Sequence, residues 1–187
     1  MNVNLTVQKI MSAMSLSIFV AGICMPAIAR ADMPPEIQAK VEKYKKLITD
    51  WAANPVIVSA VKEANTKGPI PGMTNAKWDE TGDTDPVVIG MQNSPAGQFA
   101  KKLEDDKNVN KVTVWDDKGN MIASSTKTLI YNAATRPAFT GAMKGKAWSA
   151  PEVKPDPTTQ KKSVNISAPV MDGGKIIGVM NAAISAE

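Results

Sequence analysis

The sequence predicts an α+β domain in which a long N-terminal helix packs on an antiparallel sheet. Three observations favour this fold class: apolar residues recur at helical spacing early in the chain, later segments alternate with a period of two, and turn residues separate those segments. The part of the chain after residue 31, about 156 residues, is enough for one hydrophobic core, so we expect a single folded domain.

The first 31 residues have the pattern of a secretory signal. Lys9 supplies a positive charge and residues 10–23 form an apolar run. Ala27-Ile28-Ala29 and Ala29-Arg30-Ala31 both fit the small-x-small pattern that a signal peptidase cleaves. We therefore expect residues 1–31 to be a signal peptide that is cleaved after Ala29 or Ala31.

Two alternatives to cleavage remain open. The stretch from Ile10 to Ala29 is about 20 residues long, which is enough for an uncleaved membrane anchor. Cys24 could instead carry a lipid, although lipidation favours a small residue where Ile23 stands. With cleavage, residues 32–187 form one domain that has no second apolar span. We expect this domain to be periplasmic or secreted, without stable membrane insertion.

The composition excludes several kinds of chemistry. The sequence contains no histidine, and its one cysteine lies in the predicted signal. These absences exclude Ser-His-Asp and Cys-His nucleophiles, zinc sites built on His or Cys, and iron–sulfur clusters. Carboxylate chemistry at Asp116, Glu152 or Asp156 stays open, but these acids fall in turns or a connection. We expect no cofactor, no metal and no enzymatic activity.

The charge of the chain argues against a nucleic-acid partner. Signal cleavage would remove two of the 22 basic residues and none of the 18 acidic ones. The remaining excess of positive charge is too small to form the basic surface that nucleic-acid binding requires.

Helical spacing and capping residues predict the helices. One apolar stripe recurs at four-three-four-three spacing and consists of Ile37, Val41, Tyr44, Ile48 and Trp51. Asn54 is placed to cap a second helix that has Pro55 at its first position. Residues 66–94 are expected to be irregular or to form short helices, and Ser94-Pro95 starts a further helix that ends before Asp105.

Alternation and turn residues predict two hairpins. The first runs from Lys111 through an Asp117-Lys118-Gly119 turn to residues 121–124. Asp116, Asp117 and Asn120 also resemble part of a calcium loop, but the distal acidic positions are missing, which favours the plain turn. A short helix around Phe139 and a proline-rich connection over 151–160 precede the second hairpin, which pairs residues 163–170 with 175–184.

The alternation also assigns the two faces of the sheet, because successive side chains of a strand point to opposite faces. One apolar set is expected to face the first helix through Val41, Ile48 and Trp51. That set consists of Val112, Val114, Val164 and Ile166. The opposite face is more polar and is available to solvent or a ligand.

The order of these elements resembles the extracellular Cache sensor domains. The resemblance covers residues 36–184. It rests on the helix with Trp51 and Asn54-Pro55, on the runs over 94–103 and 112–119, on Ser124-Ser125, and on the closing runs over 164–170 and 173–179. It implies a single Cache-type domain with a PAS-like antiparallel sheet and a small-ligand pocket on the face opposite the long helix. Members of this family usually sit on transmembrane chemoreceptors, histidine kinases or cyclic-nucleotide enzymes.

The resemblance and the residue chemistry together suggest six ligand-binding residues, namely Trp115, Tyr131, Arg136, Trp148, Asn165 and Asn181. Many relatives carry an Asp-Tyr pair where this chain has Ile130-Tyr131, so only the tyrosine carries over. The missing carboxylate disfavours an amino-acid ligand and favours a small carboxylate or a neutral, partly aromatic compound. Arg136 could form a bidentate bond to a carboxylate, and Tyr131 could add a hydrogen bond.

The leading function hypothesis is therefore an exported, periplasmic sensor module that captures a small organic ligand. We expect it to act through a partner protein such as a membrane receptor or a kinase. The alternative is a structural or adaptor protein of the cell envelope that binds no ligand.

Overall fold

The computed structural model describes residues 33–187, so the predicted signal peptide lies outside the described residues. The helices in this part of the chain are α1 (Pro35–Ala52), α2 (Pro55–Lys67), α3 (Asn75–Glu80), α4 (Pro86–Asn93), α5 (Pro95–Leu103) and α6 (Pro137–Ala142). The strands are β1 (Val109–Asp116), β2 (Met121–Ser124), β3 (Trp148–Ser149), β4 (Lys154–Pro155), β5 (Lys162–Asp172) and β6 (Lys175–Ser185). This arrangement confirms the predicted α+β class.

The strands form one antiparallel sheet in the order β2-β1-β6-β5-β3, and β4 pairs with the start of β5. The two predicted hairpins are therefore present, and the last strand, β6, lies between β1 and β5. β3 and β4 were not predicted, because two-residue strands are too short to show any alternation.

Prolines and polar caps start the helices as predicted. The Asn54 side chain accepts the backbone N–H of Val56 at 2.9 Å, and Pro55 follows it as the first helical residue. Ser94 caps α5 in the same way, since its hydroxyl accepts the N–H of Gly97 at 3.0 Å. The segment over 66–94, which showed little periodicity, contains the short helices α3 and α4.

The first hairpin turn is held by the Asp116 carboxylate. It accepts the backbone N–H groups of Lys118 at 2.9 Å and Asn120 at 2.8 Å, and also the Asn120 side-chain amide at 2.8 Å. Gly119 has a φ of +81°, a left-handed conformation that favours glycine. The plain turn is thus confirmed, and residues 33–187 contain no cluster of three or more acidic side chains that could hold a metal ion.

One face of the sheet packs against α1, α2 and α5. The predicted strand residues Val112, Val114, Val164 and Ile166 are all fully buried in one cluster together with Val41 and Ile48 of α1. Trp51 is partly buried against the same cluster. The face assignment made from the alternation is therefore confirmed.

A second apolar cluster lies on the opposite face, beneath α3, α4, α6 and the segment that follows β2. Its largest members are Trp78, Trp115, Tyr131 and Phe139. The rings of Trp115 and Phe139 meet edge to face with their centroids 6.3 Å apart. Both faces of the sheet are thus covered, but the second cover is built from short helices and loops. Within residues 33–187, no helix combines the length and the apolar character needed to cross a membrane.

We expect Val164→Asp to lower the free energy of unfolding by at least about 3 kcal/mol, because it places an unpaired charge in the layer between β5 and α1. Chemical denaturation of the purified protein measures this. Met171→Asp on the same strand is the matched control, because Met171 is 39% exposed and should change stability by less than about 0.5 kcal/mol. Equal stability of the Val164 variant and the parent would mean that the faces are assigned the wrong way round.

Candidate ligand-binding site

A cavity of about 440 Å³ lies on the sheet face opposite α1. Its floor comes from three neighbouring strands, β1, β6 and β5. The register places Thr113 opposite Asn181, Asn181 opposite Ser167, and Ser167 opposite Trp148. Because residues paired across strands share a face, this row sets polar and aromatic side chains side by side under the cavity.

Helix α6 forms one wall. Arg136, Pro137 and Ala138 line the cavity at the start of this helix. The Ser167 hydroxyl donates to the Ala138 carbonyl at 2.6 Å, which ties the helix to the middle of the sheet. The Trp148 ring fits against Gly141, where an added Cβ would lie only 2.4 Å from Trp148 Cδ1. Glycine at 141 therefore allows the indole to occupy its place at the edge of the cavity.

The loop between β4 and β5 forms the facing wall through Asp156, Pro157 and Thr158. Asp156 and Lys111 of β1 form a salt bridge of 2.5 Å in which both side chains are buried. Two effects act on the pKa of Asp156. Burial alone would raise it, but the Lys111 ammonium and the N–H groups of Thr158 and Thr159 outweigh burial and lower it. The carboxylate is therefore ionised at neutral pH, and the ion pair attaches the loop to the sheet.

Two buried polar atoms in the cavity lining have no hydrogen-bond partner within residues 33–187. They are the indole Nε1 of Trp115, a donor, and the side-chain oxygen of Asn181, an acceptor. The Asn181 amide nitrogen, by contrast, donates to Asn165 Oδ1 at 3.3 Å. Buried polar atoms are rarely left unpaired, because each one costs roughly 1–3 kcal/mol. Both atoms belong to residues that line this one cavity, which makes the cavity the candidate ligand site.

Five of the six residues suggested from the sequence lie in the lining of this one cavity, namely Trp115, Arg136, Trp148, Asn165 and Asn181. Contact of these side chains with a ligand stays a prediction. Tyr131 lies outside the lining. Its ring is buried against Trp78, with centroids 5.9 Å apart, and its hydroxyl accepts the backbone N–H of Ile70 at 3.3 Å. Burial raises the pKa of this hydroxyl.

Sequence reasoning missed Lys111 and did not place Asp156 at the site. A signal for Lys111 was present, because it shares the strand parity of Thr113 and Trp115. For Asp156 no local pattern was available, since a proline-rich connection has no periodicity from which to derive a direction.

A wider groove of about 530 Å³ lies between α2 and the start of α5 and is lined by Val56, Ala60 and Ala96 among others. Its two charged side chains, Glu63 and Lys67, pair with each other at 2.5 Å. Val56 is 38% exposed, and none of the unpartnered buried polar atoms found in residues 33–187 belongs to the groove. The cavity on the sheet is therefore the better candidate site.

No family model matches this sequence, and no curated protein matches it. Solved structures do. The chain is similar to the sensor domain of the histidine kinase DctB from V. cholerae, with a TM-score of 0.56 and 19% identity over 80% of this chain and 50% of that one. It is also similar to the sensory domain of the Campylobacter jejuni chemoreceptor Tlp3 with isoleucine bound, with a TM-score of 0.42 and 17% identity over 82% of this chain and 64% of that one. For the ligand-binding domain of the Pseudomonas fluorescens chemoreceptor CtaA in complex with L-serine, the TM-score is 0.41 with 12% identity over 79% of this chain and 60% of that one.

The chain thus spans half of the DctB sensor domain chain and less than two thirds of the two chemoreceptor chains. At these identities the similarity concerns the fold. The expected α+β fold is confirmed, and it is similar to the fold of the DctB sensor domain.

We expect Asp156→Asn to lower the free energy of unfolding by about 3 kcal/mol at neutral pH, because it leaves the buried Lys111 ammonium without its carboxylate. The folded-state pKa of Asp156 is depressed, so its contribution is present above the ordinary value of 3.8 and is lost as the pH falls through the folded-state pKa. The stability difference between parent and variant should therefore shrink below pH 3.8. Denaturation at a series of pH values measures it, and a difference that stays constant into strong acid would contradict the ion pair.

Proposed function

We propose that this chain is an exported sensor module that captures a small organic ligand, with a carboxylate favoured, in the cavity on the sheet. The observation that carries the proposal is the pair of polar atoms without a partner in residues 33–187, Trp115 Nε1 and Asn181 Oδ1, in a lining whose surface is mostly apolar and includes two tryptophans. A concave apolar lining with a few converging polar groups is the usual composition of small-molecule sites. Both atoms are shielded from solvent, so the proposal requires the side chains around them to move when a ligand binds.

Arg136 supports the choice of a carboxylate. It is exposed at the start of α6 in the cavity lining, and its guanidinium forms no salt bridge with any acid in residues 33–187. A planar guanidinium can hold a carboxylate through two parallel hydrogen bonds. The indole rings of Trp115 and Trp148 would then pack on the organic body of the ligand and exclude water from the charged contact.

The fold and the leader pattern support the biological setting. A sensor domain of similar fold is found on a histidine kinase. The signal-like residues 1–31 favour export to the periplasm or the medium. We propose that the module passes its ligand state to another protein, for which a membrane receptor or kinase is our candidate. It would act by binding and not by turnover.

A thermal-shift screen of residues 32–187 against carboxylates, amines and purines tests the proposal, because a ligand that binds only the folded state raises the melting temperature. A carboxylate that raises it in a saturable way supports the proposal. The absence of any hit, together with a protein partner recovered from the cell envelope, would favour the adaptor alternative.

For a carboxylate hit, we expect Arg136→Ala to weaken binding by roughly 1.5–3 kcal/mol, the range for hydrogen bonds to charged groups. Trp115→Phe keeps an aromatic ring but removes the indole N–H, and it should weaken binding by about 1 kcal/mol. Calorimetry measures both. Lys144→Ala, which removes an exposed cation just after α6, and Tyr131→Phe, outside the lining, are the controls that should leave affinity unchanged. If both test variants bind the carboxylate with the affinity of the parent protein, the ligand does not bind in this cavity.

A further inference from the structure

The salt bridge between Lys111 and Asp156 changes how much charge the cavity offers to a ligand. Among the described residues, three charged side chains line the cavity: Lys111, Asp156 and Arg136. The side chains of Lys111 and Asp156 are buried, at 8% and 1% exposed, and Lys111 Nζ lies 2.5 Å from Asp156 Oδ2. Their charges cancel at short range. Of the two cations in the lining, Arg136 is therefore the one that meets a ligand without an acidic partner from residues 33–187.

Both members of the pair are already held by other bonds. One Asp156 oxygen accepts the backbone N–H groups of Thr158 at 3.0 Å and Thr159 at 2.9 Å, while the other accepts Lys111. The Lys111 ammonium also donates to the Thr158 hydroxyl at 3.3 Å. A ligand group that took either partner would have to break several hydrogen bonds and detach the loop after β4 from the sheet. The pair is therefore a fixed, internally neutral part of the wall.

A further acid near Lys111 does not change the charge that the cavity offers to a ligand. Glu104, at the end of α5, is close enough to Lys111, Lys101 and Lys161 for their charges to act on it, but it does not line the cavity. Burial is the largest effect on the Glu104 carboxyl and raises its pKa. Because Glu104 lies outside the lining, it adds no carboxylate to the cavity that could receive a ligand ammonium.

From this geometry we infer that the cavity selects organic ligands with a single negative charge. A monocarboxylate is neutralised by Arg136, and its uncharged body lies against Trp115 and Trp148. A second carboxylate would find Lys111 already occupied by Asp156, and an ammonium would find Asp156 already occupied by Lys111. Either extra charge would lose water without gaining a partner. Asp156 is in this sense a specificity-determining residue that acts through Lys111. The inference rests on the proposed function, since it assumes that the cavity binds an organic carboxylate.

The test uses three probes with one carbon skeleton: 3-phenylpropanoate, L-phenylalanine and benzylmalonate. They carry hydrogen, an ammonium or a second carboxylate at the same carbon. Calorimetry with the parent protein should show 3-phenylpropanoate binding roughly tenfold or more tightly than either of the others, the scale of one charged hydrogen bond. If benzylmalonate or phenylalanine binds as tightly, the charge selection is wrong while ligand binding stands. If none of the three binds, the carboxylate site itself is wrong.

Two variants test the role of the ion pair directly. Asp156→Asn frees Lys111, so benzylmalonate should gain roughly ten- to hundredfold relative to 3-phenylpropanoate. The double variant Lys111→Met/Asp156→Asn removes both charges and should keep the order of the parent. Circular dichroism reports whether each variant folds. If the single variant does not fold, the double variant decides: an altered order, or weaker binding of 3-phenylpropanoate, would mean that Lys111 contacts the ligand itself and would overturn the inference.

Discussion

The packing of α1 on the sheet is the contact on which the rest of the structure depends. The alternate apolar residues of β1, β5 and β6 face this helix, and residues such as Ile48, Val164 and Ile166 are completely buried. Each fully buried Val or Ile side chain contributes about 1.5–3 kcal/mol. Because successive residues of a strand point to opposite faces, the alternate residues that do not face α1 point toward α6 and the loops. The cavity therefore lies on the face opposite α1.

The sheet face that carries the cavity differs in composition from the face that packs on α1. A core built for stability alone would fill it with apolar side chains, yet beside its apolar cluster it contains a buried ion pair and two polar atoms that have no partner within residues 33–187. Replacing a buried ion pair by apolar residues is often neutral or stabilising, so such a pair is weak evidence of a contribution to stability. Its position in the cavity wall instead fits a role in setting the charge available to a ligand. Under the proposed function, the face that packs on α1 serves stability, and the cavity face combines an apolar cluster with the ligand site.

Much of the fold could be predicted because its signals are local and periodic. The stripe on α1, the caps at Asn54 and Ser94, and the alternation in β5 each depend on near neighbours in sequence. The strands β3 and β4 could not be predicted, since two residues carry no period and their pairing depends on β5. For the site, the strand parity of Trp115, Asn165 and Asn181 pointed to the correct face of the sheet.

The remaining site features depend on tertiary contacts. Tyr131 follows the first hairpin and carries a suitable hydroxyl, but the course of the loop directs it against Trp78 and away from the cavity. The partner of Lys111 is 45 residues away along the chain. Neither the position of Tyr131 nor the partner of Lys111 can be predicted from local sequence, because both depend on where a loop without periodicity crosses the sheet.

The four tryptophans offer the most direct measurement of the central claim, that α1 covers one face of the sheet and a ligand occupies the other. Trp115 and Trp148 line the cavity, Trp51 lies against the helix-covered core, and Trp78 donates its indole N–H to the Thr128 carbonyl at 2.7 Å. Two-dimensional NMR of the indole N–H groups, with a saturating carboxylate ligand, reports on all four at once. The account predicts that the Trp115 and Trp148 signals move while the Trp51 signal stays in place. Movement of Trp51 alone, with Trp115 and Trp148 unchanged, would contradict it.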